Sequence, residues 1–331
     1  MENIVAYKLK FTGPLHLGQE GIGLEKTDEI IRSDTLFSAI LSCWSLFYDD
    51  DIDSLIKKSP FILSSCFPFK GDDYYFPRPM VKIGKQGEDD PKIGKKIKKV
   101  KFISKKLFAE VLNGKEVSFL EENTLQDGLL WSDRSFKNIP EEEKFAYKKR
   151  EVPRVTIDRV TNTSEIFYFN ELVFSKDSGL FFLMRFLNPQ IRTGFEAILH
   201  LLGDEGIGGD KHLGKGCFEV KTAEDFKINF AQDNTEHLVT LSLFHPTEQM
   251  EQASYELITR RGWIHSKGAM SLKRKGIRMF VEGSVFKNAD KNIYGDIPIV
   301  LEKNKDLGLT HNVYRNGLAF TFPITVRSNN E

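Results

Sequence analysis

Cysteine is scarce in this sequence of 331 residues: three, at Cys43, Cys66 and Cys217, far apart and without a C-x-x-C pair. That excludes a disulfide framework and leaves no seed for a zinc site or thiol redox centre. No metal or cofactor is called for. No stretch approaches the roughly 18 uncharged apolar residues that a membrane-crossing helix needs. The opening MENIVAYKLK alternates like a strand where a signal peptide would carry an apolar core. A cytoplasmic chain is expected. Net charge is also missing, since 47 Lys and Arg balance 47 Asp and Glu. This argues against a protein that coats nucleic acid indiscriminately.

What is present is an ordinary folding composition, 40% apolar and 28% charged, with 27 phenylalanines whose default role is packing. Single apolar cores stop growing near roughly 250 residues, so two domains are expected, residues 1–225 and 226–331. Charge is unevenly placed. Pro91 to Lys106 holds eight lysines and no acid, and Arg260 to Val281 holds seven Lys or Arg and no acid. Ile93, Ile97, Val100, Phe102 and Ile103 interleave the first run, so part of it packs while ammonium groups reach outward. Acidic blocks at Asp49–Asp51, Glu88–Asp90 and Glu141–Glu143 read as solvated loops or contacts to a basic partner. The pairs Asp72–Asp73 and Glu121–Glu122 lack a third metal ligand and read as turn or surface.

Val5, Tyr7, Leu9 and Phe11 give the period-2 pattern of a half-buried strand. Ser33 and Asp34 stand in N-cap and first-turn positions ahead of Leu36, Phe37, Ile40, Leu41, Trp44 and Phe47 at helical spacing. A hairpin is expected across Phe61–Cys66, a turn at 70–73 and Tyr74–Phe76. The pattern then breaks between about Met80 and Pro153, which reads as a lysine-rich insertion with a short helix near Lys105–Leu112. A strand at Val155–Val160, a hairpin of Ile166–Phe174 with Leu180–Leu187, a helix faced by Phe195, Ile198, Leu199 and Leu202, and a strand at Cys217–Val220 close the first half. The order is that of a split βαβ, ferredoxin-like frame, which RNA-recognition modules share. The second half offers strands near Leu238–Phe244, Tyr255–Thr259, Ile277–Val285 and Leu318–Val326, with a short helix after Thr247. The fold class is α+β with antiparallel sheets.

Between helix and last strand of the first half lies GIGGDKHLGKG, residues 206–216, with five glycines at Gly206, Gly208, Gly209, Gly214 and Gly216. Gly209 to Lys215 matches G-x-x-x-x-G-K. A nucleotide-binding P-loop, however, needs Ser or Thr next and a helix after the loop. Gly216 occupies the magnesium position, and the flanking helix and strand come in the reverse order. Two readings remain: a flexible connection without a ligand, or a backbone cradle in which exposed N–H groups, with Lys211, His212 and Lys215, hold phosphates without reading bases.

FTGPLHLG after the first strand, SDTLFSAI opening the first helix, GIGGDKHLGKG, and NVYRNGLAFTFPI near the end together resemble the RAMP superfamily of CRISPR proteins. More narrowly, they resemble the fourth-subunit family of the type III-A (Csm) effector. The resemblance covers most of the chain in order, with looser likeness in the insertion and much of the C-terminal half. It implies two packed ferredoxin-like domains that hold the 5′ tag of a crRNA, and no catalysis. It implies two protein partners, the large nuclease and cyclase subunit and a backbone RAMP subunit. It also implies a protruding thumb that kinks the guide, expected within Met80–Pro153.

Candidate RNA-contacting residues are then His16, Arg154, Arg159, Gly206, Gly208, Gly209, Lys211, His212, Gly214, Lys215, Gly216, Arg260, Arg261, Lys273 and Arg274. His16 has three readings: RNA contact, a structural hydrogen bond, or the general base of a metal-independent repeat endoribonuclease such as shares this frame. The last makes an enzyme the rival class, and a protein-only scaffold is a third. Arg154 and Arg159, five apart, fall on opposite faces of an ideal strand. One is expected on phosphate and the other on an acid such as Asp158 or Glu165. Trp263 and Tyr314 either stack bases or pack.

Overall fold

The computed structural model describes residues 4–18, 26–48, 52–58, 60–83, 91–223, 226–230, 236–247, 254–264, 272–289, 291–309 and 311–327. The chain begins with β1 (Ile4–Phe11), whose Val5, Tyr7 and Leu9 are buried as their alternation requires. α1 (Ser33–Phe47) follows and buries Leu36, Phe37, Ile40 and Trp44; its N-cap is Arg32 rather than Ser33, whose hydroxyl instead accepts from the Leu243 N–H. After α2 (Ile52–Lys58) come β2 (Phe61–Leu63), β3 (Phe67–Lys70) and β4 (Asp73–Pro77), the last two joined by a turn whose Gly71 has φ +59°.

Residues 80–153 are more than an appended loop. α3 (Pro91–Lys99) carries the exposed lysines, while β5 (Phe102–Ser104), α4 (Lys105–Leu112), β6 (Thr124–Leu125) and β7 (Leu130–Trp131) bury Phe102, Ile103, Leu107, Phe108, Val111 and Trp131. The dense lysines had masked an apolar set that extends the main sheet. The helix at Lys105–Leu112 stands where its sequence places it, with the Ser104 hydroxyl accepting from the Leu107 N–H.

β8 (Tyr147–Ile157) and β9 (Ser164–Phe174) form an eleven-residue antiparallel ribbon, Tyr147 opposite Phe174 and Ile157 opposite Ser164. At about 3.3 Å per residue it reaches ~35 Å, and most of β8 is exposed. This ribbon is what stands off the body, so a thumb placed at 80–153 overlaps it only from residue 147 onward. Arg159 lies in its tip turn rather than on a strand. β10 (Ser178–Phe186), α5 (Arg192–Glu205) and β11 (Phe218–Ala223) complete the first half.

Among the described residues the main sheet runs β11-β1-β10-β3-β4-β5-β7-β6, with β2 also on β10. Among the described strands only the β5–β7 pair is parallel. α1 and α5 pack together, α5 lying so close to β11 that a Cβ on Gly203 would sit 2.3 Å from the Phe218 carbonyl.

In the second half, β12 (His237–Thr240), β13 (Leu257–Arg260), β14 (Ile277–Phe280), β15 (Val285–Lys287), β16 (Ile299–Leu301), β17 (Val313–Tyr314) and β18 (Thr321–Ile324) make a three-stranded sheet, β15-β12-β18, and two ribbons, β13–β14 and β16–β17. Its described residues carry no α-helix, and the helix expected after Thr247 lies outside them. Val239, Leu241, Phe320, Phe322 and Ile324 join the core of the first half. The Phe322 ring meets Phe108 of α4 at 6.2 Å, and the Thr325 N–H donates to the Leu112 carbonyl. No helix among the described residues is long and apolar enough to cross a membrane.

Candidate nucleic-acid interface

The glycine loop folds back on the segment that leaves β1. The Gly216 N–H donates to the Pro14 carbonyl (2.8 Å), the Gly209 N–H to the His16 carbonyl (2.9 Å), and the Ile207 N–H to the Gly216 carbonyl (3.0 Å). The Gly206 N–H caps α5 by donating to Leu202. These donors are therefore satisfied internally, which differs from a loop whose amides all point to solvent. Two glycines explain the composition. Gly216 has φ +72° and a Cβ there would lie 1.9 Å from the Ile207 oxygen; Gly208 has φ +95° and a Cβ there would lie 2.3 Å from the His16 oxygen. Close backbone approach is what the loop needs most. Gly214 is different, exposed and with open space around its Cβ position. Lys211 and His212 occupy the short turn before it and face solvent.

The loop and the root of the β8–β9 ribbon meet at Phe169. The His16 ring packs tilted against it with centroids 4.2 Å apart, the Arg154 guanidinium lies 4.2 Å from the ring centroid and the Lys215 ammonium 4.0 Å. Two carboxylates tie these cations down. Glu171, 1% exposed, pairs with Lys215 (2.6 Å) and with Arg150 (2.5 Å), while Asp210 takes Arg154 (2.7 Å) and Lys215 (3.5 Å). Arg154 thus finds its acid across the loop rather than at Asp158 or Glu165. Burial alone would raise the Glu171 carboxyl, but Lys215 and Arg150 hold it below its ordinary range; Arg154 and Lys215 do the same for Asp210. Three cations face two carboxylates, so the node keeps a net positive charge beside Lys211. Leu15 and Leu172 exchange both backbone hydrogen bonds, fixing the ribbon root to the loop.

His16 is 3% exposed and its Nδ1 lies 2.6 Å from the Asn170 carbonyl. A carbonyl only accepts, so Nδ1 carries the proton. Phe169 and the glycine loop enclose the rest of the ring.

The basic stretch after residue 260 divides. Arg260 donates to both oxygens of Asp34 (2.9 and 3.0 Å) and to Thr35, and Arg315 also donates to Asp34. Burial would raise the Asp34 carboxyl, yet these two guanidiniums hold it down to about 2. Arg260 therefore locks the second half onto the first turn of α1. Arg261 and Lys273 are exposed, Lys273 lying 6.0 Å from the ring of Trp263, and Arg274 is half-buried. Lys267 lies outside the described residues. Tyr314 donates to Asp53 (2.7 Å), so its hydroxyl serves packing of the halves. Phe169, Glu171, Arg150 and Arg315 escaped the sequence reading. Only Arg315 lay in a motif, NVYRNGLAFTFPI, and none shows at fixed spacing.

The fold and the loop that closes on β1 are those of a known protein superfamily. Residues 8–219 match the model of the RAMP superfamily, and the chain belongs to that superfamily. Residues 233–324 match the CRISPR Csm4 C-terminal domain, and together the two matched spans mark a Csm4-type RAMP subunit. The chain is 29% identical over 341 residues to the "CRISPR system Cms protein Csm4" of Thermococcus onnurineus (strain NA1), covering 98% of each chain. It is 25% identical to the protein of the same name from Methanocaldococcus jannaschii, covering 99% of each. Its fold is shared with the crystal structure of a Csm1–Csm4 cassette in complex with pppApA (TM-score 0.64, 24% identity, 98% of this chain and 99% of that one). A Csm3–Csm4 subcomplex of the type III-A interference complex is equally similar (TM-score 0.65, 22% identity, 98% and 100%).

Proposed function

We propose that this chain is the noncatalytic subunit of a cytoplasmic type III-A CRISPR (Csm) complex that holds the 5′ tag of the crRNA. In this reading it joins the large nuclease and cyclase subunit to the backbone RAMP subunit. The observation that carries the proposal is the node at the ribbon root, where Arg150, Arg154 and Lys215 outnumber Glu171 and Asp210 around Phe169. A fixed cation surplus beside a long projecting ribbon suits phosphates of a single strand, held for position rather than sequence. The relatives crystallised with Csm1 and with Csm3 support the two protein contacts. The order β11-β1-β10-β3, with α1 and α5 packed together, supports a ferredoxin-like first unit, and we read the second as its degenerate counterpart. We take the β8–β9 ribbon as the thumb.

Burial of His16 favours this reading over a repeat endoribonuclease, because a general base must reach the 2′-hydroxyl. The test uses the purified chain and a labelled RNA carrying the tag, in EDTA. Expected are retention of intact RNA and an affinity that falls with salt by about 0.7 in log–log slope per neutralised phosphate. Salt-independent binding or none would sink the RNA-holding role. Products ending in a 2′,3′-cyclic phosphate that vanish in His16→Ala would establish the enzyme instead.

A further inference from the structure

We propose that Arg274, at the seam between the two halves, is a seat for one phosphate oxyanion of a ribonucleotide chain. This rests on the RNA-holding reading above and gives it a site separate from the ribbon root. The backbone there is pinned, for the Arg274 N–H donates to the Gly262 carbonyl (2.8 Å) and the Lys275 N–H to the Val300 carbonyl (2.7 Å). The side chain is half-buried, and its enclosed Nε meets no acceptor among the described residues. Burial pushes the guanidinium's affinity for its proton down, and Arg315 and Arg260 push the same way against a single carboxylate, Asp34.

That carboxylate is already taken. Arg260 uses both of its oxygens and Arg315 shares one of them. Asp34 thus accepts from two guanidiniums with Arg274 close by, and counting Arg32 the seam sets four guanidiniums against the three carboxylates Asp34, Asp28 and Glu282, an excess of one positive charge. Asp28 and Glu282 also attract Arg260, but each is already paired with Arg32, at 3.7 and 2.6 Å. A desolvated cation without a counter-ion destabilises a fold. It is accounted for when the missing anion arrives with a ligand. A guanidinium fork matches the paired oxygens of a phosphate, and exposed Arg261, Lys273 and Lys275 lie on the same two segments as Gly262 and Arg274. Trp263 is 57% exposed on the same ribbon end, bridged to Lys273, so a base following the held phosphate has an indole to stack on. An acid-free basic stretch with an exposed indole favours RNA over a protein carboxylate.

The proposal is tested on the full chain by comparing wild type with Arg274→Gln and Arg274→Lys. With single-stranded tag RNA, Arg274→Gln is expected to bind about ten-fold more weakly at low salt, with a log–log salt slope shallower by about 0.7. Arg274→Lys keeps the slope and recovers part of the affinity. In chloride buffer without RNA, Arg274→Gln is expected to melt no lower than wild type, since it relieves repulsion; a large fall in Tm would overturn the account of an unsatisfied cation. If wild type binds RNA and Arg274→Gln binds with unchanged affinity and slope, the site is wrong while the RNA-holding role stands. Loss of a copurifying protein partner with RNA binding intact would mean a protein carboxylate and also overturn it. If neither protein binds RNA, the RNA-holding role fails and inorganic phosphate decides the site. At matched ionic strength, phosphate raising the Tm of wild type but not of Arg274→Gln supports an oxyanion seat that takes free phosphate, and equal shifts refute it.

Discussion

Two charged nodes in this molecule both set guanidiniums on carboxylates but differ in how far their cations reach solvent, and on the function proposed above they do different work. At Asp34 one fully enclosed carboxylate receives Arg260 from β13 and Arg315 from just after β17, so the pairing fastens the second half to α1. At the ribbon root, Glu171 and Asp210 hold Arg150, Arg154 and Lys215 near the surface, and the Arg150 side chain is 57% exposed. The first node is sealed, so its electrostatics bear on stability. The second buries Glu171 and Lys215 but leaves Arg150 and Arg154 partly open to solvent, so those two cations can reach a ligand. Depth, rather than composition, separates a fastening from a grip.

The sharpest way to break this comparison is Asp34→Asn. It keeps the shape and strips the carboxylate to which Arg260 and Arg315 donate, and removing one partner of a buried pair costs about 3–5 kcal/mol. Urea unfolding should show that loss. A change below about 1 kcal/mol would mean that the Asp34 node is as screened as the ribbon root. The glycine loop gives a second, somewhat smaller contrast. Gly216→Ala forces a methyl against the Ile207 oxygen at a left-handed φ, and we expect about 3 kcal/mol. Gly214→Ala meets open space and pays only for its backbone conformation, about 1–2 kcal/mol. Equal costs at the two positions would show that the loop does not rest on the segment after β1.

Much of the frame was legible because its signals are local. Ser33 and Asp34 opened α1, the spacing of Phe195, Ile198, Leu199 and Leu202 marked α5, and Lys105–Leu112 formed as a helix where expected. The near-match to a P-loop fails in the fold as in the sequence, since the helix precedes the loop and β11 follows it. What escaped was non-local or masked by charge. Arg260 and Arg315 reach Asp34 across 226 and 281 residues, and no pattern in the chain announces that meeting. Arg260 therefore reads from the sequence like its exposed neighbour Arg261. Phe169 looked like one more apolar strand position, although three cationic or imidazole side chains converge on it. The reach of β8 was hidden because Lys148, Lys149, Arg150 and Glu151 break the alternation that marks a strand.

Acid should separate the nodes next. The Asp34 carboxyl is lowered from 3.8 to about 2 in the folded chain. A depressed carboxyl stabilises the fold above its unfolded value and stops doing so as pH falls through the folded one. About 2 kcal/mol is therefore present above pH 4 and lost between pH 4 and 2. Asp34→Asn removes this dependence, so stability measured from pH 5 to pH 2 should fall less steeply in the variant. An identical slope would place the acid-sensitive group elsewhere, with the Glu171 and Asp210 carboxyls, both depressed, as the next candidates.

The smallest effect on stability belongs to Arg154→Gln, and it bears most directly on function. Arg154 pairs with Asp210 near solvent, so its loss should cost under about 1 kcal/mol of folding. Asp210 would keep Lys215 at 3.5 Å, and the loop would stay in place. For RNA the same change removes one cation from a surplus of one, because Glu171 and Asp210 then balance Arg150 and Lys215. Tag RNA should bind more weakly, with a salt slope shallower by about 0.7, while the melting temperature moves by only a few degrees. Unfolding without any change in RNA affinity would invert the comparison, making the ribbon root the fastening and leaving the grip to the seam at Arg274.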